Sequence, residues 1–433
     1  MLSIENLRKR LSSSDIAQRI ASGAFWSFAG TAFGKLIVLI GSILCARMLG
    51  KEAYGEFGMV RSTVNMFVVF GTAGLGLTAS KYISEFRVTD KKHISSIYIL
   101  TNGFAFITGL IITIVVLLFS DYLAEKTLNA PELAGSIRIG AMLLFITIIN
   151  CAPNGALTGI EDFKSIAINT LIGSVVETLF MLVGAYWWSV PGAVLGFGMG
   201  YLSLYVLNLF SIRKQFISEN INMSFKELRK EDLSLLYRFS LPAALSSIMV
   251  APAYWVARTM LVNANGFGEM AIFEASEQWR SILVFVPGTL CNIVLPILSS
   301  VNATDASKFW KILNVNITLN VVIATLIAVF VSLLSPFIIK LYGGGFTDST
   351  TLVLLSLSTI FSSVATVVGA SIASRAKMWN GLGFNLLWAS MFISFTYIFL
   401  NKGMGAKALA LSLLVSYIIH STLQYIYIRR ITT

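Results

Sequence analysis

Runs of apolar residues long enough to cross a bilayer recur along this chain, and they constrain its fold more than any other feature. Twelve can be traced, near 23–47, 57–79, 94–119, 136–157, 165–187, 191–211, 239–262, 270–298, 312–334, 352–374, 380–400 and 406–427. Most are about 20 residues long, the length a helix needs to span ~30 Å of hydrocarbon. Inside lipid every backbone polar group must bond within the protein, so only helices and closed barrels cross. Alternating strands of about ten residues, the mark of a barrel, are absent. Composition agrees: 56% of the 433 residues are hydrophobic and 12% are charged, against about 25% charged in soluble domains. Mean hydropathy is +0.78. The fold class is therefore an all-α polytopic membrane protein with about 12 transmembrane helices. The eighth run is the weakest by hydropathy, because Glu274, Glu277 and Arg280 interrupt it.

Lysine and arginine set the expected orientation, since loops rich in them stay in the cytoplasm. An even number of spans puts both termini on one side. That side would carry Arg8, Lys9, Arg10 and Arg19, then Lys81, Arg87, Lys91 and Lys92, and later Arg429 and Arg430. The opposite loops hold far fewer, chiefly Lys51, Lys126, Arg138, Lys340, Lys402 and Lys407. Both termini are thus expected in the cytoplasm. The net charge of +11 is mostly a topology signal and not a nucleic-acid footprint, because no basic cluster sits in a soluble domain. Residues 1–22 form a polar, basic cytoplasmic segment in which Ser14 and Asp15 are placed to cap a helix. No small-residue cleavage site follows the first apolar run, so a cleaved signal peptide is not expected.

The widest connection, 212–238, divides the chain into a lobe of six spans (23–211) and a second lobe of six spans with a short cytoplasmic tail (239–433). From Ser224 this connection alternates charge at helical spacing and ends in Leu233, Leu235 and Leu236. That pattern predicts a short amphipathic helix on the inner leaflet. The lobes share a junction pattern. Ala46-Arg47-Met48-Leu49 precedes Tyr54-Gly55-Glu56-Phe57, and Ala257-Arg258-Thr259-Met260-Leu261 precedes Phe267-Gly268-Glu269-Met270. Parallel repeats of this kind place a transport site between the lobes, near the midplane.

The stretch Ala46 to Lys81 reads as helix, tight reversal and helix, with Gly50 and Gly55 at the turn. Gly71, Gly74 and Gly76 follow, where they let helices approach closely or bend. The order Ala-Arg-x-Leu-Gly, Tyr-Gly-x-Phe-Gly and Gly-Leu-Gly-x-x-x-x-Lys-Tyr-Ile resembles the opening of the Wzx-type polysaccharide and O-antigen repeat-unit flippases of the MOP superfamily. The likeness is sharpest over residues 22–87 and continues as helix number and spacing beyond. It implies two six-helix lobes in a V-shaped, MATE-like arrangement in a bacterial inner membrane. The implied cargo is an undecaprenyl-diphosphate-linked oligosaccharide, a polyprenyl-diphosphate-linked glycan moved by alternating access. Membrane lipids and other glycan-assembly membrane proteins are the implied partners.

Charges inside spans carry the functional signal, since each costs ~2.5–3.5 kcal/mol at a helix centre and normally faces a cavity or a partner. Lys35 lies in the middle of the first span and Glu177 in the fifth. Arg258 lies late in the seventh, near enough to the outer interface to snorkel. Arg61 lies four residues into the second, at interfacial depth. Arg280 is deeper, in the eighth, and Glu277 is its i,i+3 neighbour, so a local ion pair is the alternative to a ligand role. Pointing inward together, Lys35, Arg61, Arg258 and Arg280 would make a basic cavity suited to a diphosphate. Glu177, Glu274 and Glu277 are the candidates for coupling to H+ or Na+, and no other cofactor is expected. Trp187, Trp188, Trp255, Trp279 and Trp388 are candidates to stack on sugar rings, and Pro252 and Pro287 are the best hinge candidates.

Several classes fall away. Cys45, Cys151 and Cys291 lack metal or disulfide spacing, and His93 and His420 are isolated, so no metal site is expected. Gly30 to Lys35 lacks the spacing and hydroxyl of a phosphate-binding loop. No nucleophile–base set is evident, so an enzyme is not expected. The leading function is a flippase of lipid-linked oligosaccharide. The alternatives are a cation/drug antiporter of the same superfamily, which would favour acidic groups in the cavity, a lipid II flippase, and a membrane scaffold for glycan assembly.

Overall fold

Helix accounts for every regular element that can be placed. The computed structural model describes residues 15–72, 74–221, 223, 228, 232, 248–300, 306–375 and 377–432. The first lobe holds α1 (Asp15–Leu49), α2 (Lys51–Thr72), α3 (Leu75–Thr89), α4 (Lys91–Tyr122), α5 (Ala134–Ile149), α6 (Cys151–Gly159) and α7 (Phe163–Ser218). The second holds α8 (Val250–Asn265), α9 (Phe267–Ser300), α10 (Ala306–Lys340), α11 (Thr350–Ser374), α12 (Met378–Leu400) and α13 (Ala406–Thr432). The amphipathic helix expected from Ser224, with Leu233, Leu235 and Leu236, lies outside the described residues, as do Ser14, Arg8 to Arg10 and residues 239–247 of the seventh span.

Among the described residues, eight helices are long and apolar enough to cross a membrane, or nine when α2 and α3 count as one bent span. Three features bring this to about twelve. Helix α7 is two antiparallel arms folded at Ser189, whose φ of 53° breaks the helix ahead of Pro191. Helix α8 is described only from Val250. Helix α9 is one helix of 34 residues, but it carries Glu269, Glu274, Glu277 and Arg280 on an otherwise apolar run. The second span is also longer than its hydropathy suggests. It bends by 44° between α2 and α3, where Gly74 adopts a φ of 73°. Breaks in regular helix thus fall at Gly74 and Ser189, whereas Pro287 lies inside the continuous helix α9 and Pro252 in the first described turn of α8.

The lobes have matching contact patterns. In the first, α1 packs on α7, α2 and α3 on α5 and α6, α4 on α5, and α5 on α7; in the second, α8 packs on α12, α9 and α10 on α11, and α11 on α13. Two left-handed glycines end the first helix of each lobe: Gly50 (φ 81°) and Gly266 (φ 83°). Each donates its N–H to the carbonyl four residues back, Ala46 and Val262 respectively, which is a left-handed helix cap. This correspondence corrects the junction read from sequence. Arg47 sits in the last turn of α1, but Arg258 sits two turns inside α8, so the two arginines are not equivalent.

Without a hydrophobic force between helices in lipid, close packing by small residues holds the bundle. The first lobe uses glycine for this. Along α1, Gly23, Gly30, Gly34 and Gly41 face Phe163, Ala167, Ser174 and Thr178 of α7. Within α7, Gly184 meets Gly192, Gly196 meets Met181 and Gly200 meets Glu177 across the hairpin. Any Cβ added at Gly196 would collide with the Met181 backbone. Gly196→Ala is therefore expected to cost about 1–3 kcal/mol through overpacking. Gly103→Ala, which meets nothing within 4 Å, should be neutral or stabilising by a few tenths. Thermal unfolding of both variants in detergent checks the contrast.

Candidate functional site

The lobes meet chiefly through α2 with α9, α2 with α8, and α1 with α9. These contacts gather at the end that carries Gly50 and Gly266. There Lys51 pairs with Glu269 at 3.9 Å, and Asn129 donates to Asn263 at 3.2 Å. Arg47 donates to the Leu341 carbonyl. The α2–α9 seam is tight because α2 presents Gly55 and Gly58. A Cβ on Gly55 would strike the Phe267 carbonyl, and one on Gly58 would fall 2.9 Å from Glu274 Cγ. Tyr54 and Phe57, fully buried beside these glycines, lock the seam. The Tyr54 hydroxyl lies 2.8 Å from Ser42 Oγ, and its ring packs on Tyr342 and Phe346.

Deeper in the seam is a buried charge cluster. Arg61 on α2 donates to Glu274 on α9, across the lobes. Arg258 on α8 approaches the other Glu274 oxygen at 3.4 Å, and the Arg61, Arg258 and Glu274 side chains are only 12%, 12% and 3% exposed. Gln278 donates to Glu274 at 3.3 Å. Trp255 Nε1 donates to Thr63 Oγ1 at 3.0 Å, a further polar bond between lobes. Arg61 and Arg258 are therefore not interfacial, as their sequence positions suggested. Each is drawn inward by a carboxylate that no local pattern pairs with it.

A second cluster belongs to the second lobe alone. Arg280 grips Glu277 with two bonds of 2.7 Å and donates a third to the Tyr254 hydroxyl at 2.8 Å. Tyr254 packs in turn on Trp388 and Phe392. Trp388, 3% exposed, is thus core and has no face free for a sugar. Trp187 and Trp188 are 78% and 64% exposed at the α7 reversal, which suits a membrane-interface belt.

Lys35 differs from the three arginines. Its Nζ donates to Ser281 Oγ across the lobes at 2.7 Å. Among the described residues it has no carboxylate within ion-pair distance. It lines a cavity of about 160 Å³ with Thr31, Thr170, Ser174, Gln278 and Ser281. This cavity lies between α1, α7 and α9, past the seam from the Gly50 end. The four cations expected to share one basic cavity are thus divided. Arg61 and Arg258 share Glu274, Arg280 is held by Glu277, and Lys35 alone lines the cavity. The physical reason is desolvation: a charge buried without a partner costs far more than one that is paired.

Of the candidate coupling acids, Glu274 and Glu277 are engaged in these pairs. Glu177 packs against Gly200 and is within electrostatic reach of Arg61. It makes no hydrogen bond among the described residues. Hydroxyl and amide groups of the cavity were not singled out from sequence. A signal was present, because Glu274, Gln278 and Ser281 stand at i, i+4 and i+7 on one face of α9. No group of three His, Cys, Asp or Glu side chains suited to a metal occurs among the described residues.

Breaking a buried pair strands a charge, whereas replacing both partners with apolar groups does not. Arg280→Leu is accordingly expected to cost about 3–5 kcal/mol, and Arg280→Leu with Glu277→Leu should recover most of that loss in a thermal unfolding series.

Residues 20–302 match the polysaccharide biosynthesis protein family. The EPS I polysaccharide export inner membrane protein EpsE of Ralstonia solanacearum is 22% identical over 395 residues, covering 88% of this chain and 87% of that protein. The putative O-antigen transporter of Shigella flexneri is 21% identical over 337 residues, covering 75% of this chain and 77% of that protein. Among solved structures, an inward-facing multidrug resistance MATE family transporter of the MOP superfamily superposes with a TM-score of 0.79 at 17% identity. That likeness covers 94% of this chain and 98% of the other, and it shows the shared fold. The family match spans well over half of the sequence and agrees with the two-lobed helical architecture. The chain belongs to the polysaccharide biosynthesis protein family.

Proposed function

We propose that this protein carries a polyprenyl-diphosphate-linked oligosaccharide from the cytoplasmic to the outer leaflet of a bacterial inner membrane by alternating access. The Lys35 cavity carries this reading. It combines one cation that, among the described residues, has no carboxylate within ion-pair distance with hydroxyl and amide groups, at the junction of the two lobes. A diphosphate is an anion with many acceptor oxygens, so an ammonium and hydroxyl donors match it. The lipid tail stays in the bilayer while the headgroup crosses. Lysine and arginine bias supports a cytoplasmic 212–238 connection, which would make the Gly50 end of the seam the outer end. The names of the relatives, a polysaccharide export protein and a putative O-antigen transporter, support a glycan cargo. Passage across the bilayer breaks no covalent bond, so binding and conformational change suffice and no catalytic group is required. A gradient of H+ or Na+ is the proposed energy source.

Lys35 disfavours a cation/drug antiporter, because a cationic cargo would be repelled from the same cavity. Fluorescent polyprenyl-diphosphate-oligosaccharide in proteoliposomes, with and without a proton or sodium gradient, tests the reading. A charged hydrogen bond is worth about 1.5–3 kcal/mol, so Lys35→Ala is expected to slow flipping on the order of 10- to 100-fold with the fold intact. Lys35→Arg should retain most of the rate. Efflux of a cationic dye with no glycan flipping would overturn the proposal in favour of the antiporter.

A further inference from the structure

Arg61 interacts with two carboxylates that belong to different lobes. Glu274 on α9 accepts its guanidinium across the seam. Glu177 on α7 belongs to the lobe of Arg61 itself and interacts with it electrostatically. Among the described residues, the ionisable neighbours of Glu177 are Arg61 and Tyr201. A glycine makes room for each carboxylate. Gly58 lies against Glu274 and Gly200 against Glu177, and a Cβ at either would collide with the acid beside it.

Glu274 has an alternative partner of its own. Arg258, from the same lobe, lies 3.4 Å from Glu274 Oε2, but neither that oxygen nor Arg258 Nε has a hydrogen-bond partner. A small approach would turn this contact into the two-pronged pair that arginine favours. Each lobe therefore has one arginine and one carboxylate that interact: Arg61 with Glu177 in the first, and Arg258 with Glu274 in the second. Arginine keeps its proton in proteins, so its charge needs compensation in every state of the cycle.

We infer that Arg61 exchanges Glu274 for Glu177 when the lobes part at the Gly50 end, while Arg258 closes onto Glu274. Neither lobe then carries an uncompensated buried charge into the other state. The exchange rests on the alternating-access reading proposed above, and it makes Glu177 and Arg258 positioning residues of that cycle. It also explains why Glu177, half-buried within electrostatic reach of Arg61, makes no hydrogen bond among the described residues. Closed, the lobes leave Glu177 idle; open, they bring it into use.

Spin labels test the exchange without cargo. Asn129→Cys and Asn263→Cys place labels across the closed end, in reconstituted protein with Cys45, Cys151 and Cys291 replaced by alanine. Glu177→Gln removes the acceptor of the open state and is expected to deplete the long-distance population at least tenfold. Glu274→Gln removes the acceptor of the closed state and is expected to enrich it at least tenfold. Glu177→Asp should restore the parent ratio in part, and in an Arg61→Gln background Glu177→Gln should have no further effect. A merely structural glutamate would not give opposite shifts that depend on Arg61. Unchanged distances in both Gln variants, or shifts of the same sign, with helical circular dichroism intact, overturn the exchange. If Glu177→Gln fails to fold, Glu274→Gln and Glu177→Asp still decide, since an unopened Glu274→Gln variant overturns it alone. Opposite shifts in a protein that flips no glycan lipid would remove the cargo assignment and leave the exchange standing.

Discussion

Glu274 accepts a guanidinium from one lobe and faces a second arginine from the other, and the relation between the lobes depends on that arrangement. Inside a bilayer a lone carboxylate or guanidinium is too costly to keep. The lobes are therefore held at one end by charges that need each other, in a seam made close enough by Gly55 and Gly58. Removing one member of such a buried pair typically costs about 3–5 kcal/mol. An interaction of that size can hold a conformation yet be offset by cargo or by a second partner. The polar cavity at Lys35 lies next along the same α9 face, so the elements that close the molecule also line its site.

The lobes reach matching helix contacts by different chemistry. In the first, glycines on α1 and both arms of α7 bring backbones together. In the second, Gly288, Gly381 and Gly383 meet nothing within 4 Å, and α11 instead buries Ser356, Ser358, Thr359, Ser362, Ser363 and Ser371. Most of these hydroxyls bond carbonyls within their own helix, as Ser358 does to Leu355 and Ser371 to Val368. Both solutions satisfy one requirement: small side chains permit close helix packing where lipid supplies no hydrophobic drive.

Pairing divides the cations of the seam unequally. Four inward cations without partners would form a strong but indiscriminate anion trap. Pairing three of them leaves one ammonium among hydroxyls and an amide, a set that, on the proposed function, would hold a multidentate anion by hydrogen bonds as well as by charge. A site of moderate strength suits a carrier that must also release its cargo.

Much of this molecule is determined by sequence alone. The length of the apolar runs compels membrane helices, because only such runs satisfy backbone groups in lipid. Gly50 marks the first turn and Gly74 a bend, because a left-handed residue favours glycine, whereas Gly55, read as part of the turn, lies inside α2. The Glu277–Arg280 pair was legible too, because i,i+3 spacing on a helix puts the partners side by side. Tertiary structure alone decided the rest. Arg61 and Glu274 are far apart in the chain, and nothing local in either helix indicates that one will neutralise the other. The positions of Arg61 and Arg258 along their helices suggested the interface, yet a carboxylate from another helix drew both inward. The glycines at 192, 196 and 200 were not singled out from sequence, because the surface they meet exists only once the fold at Ser189 brings Met181 and Glu177 opposite. Sequence fixes which residues must avoid lipid, and only the packing of helices fixes which of them meet.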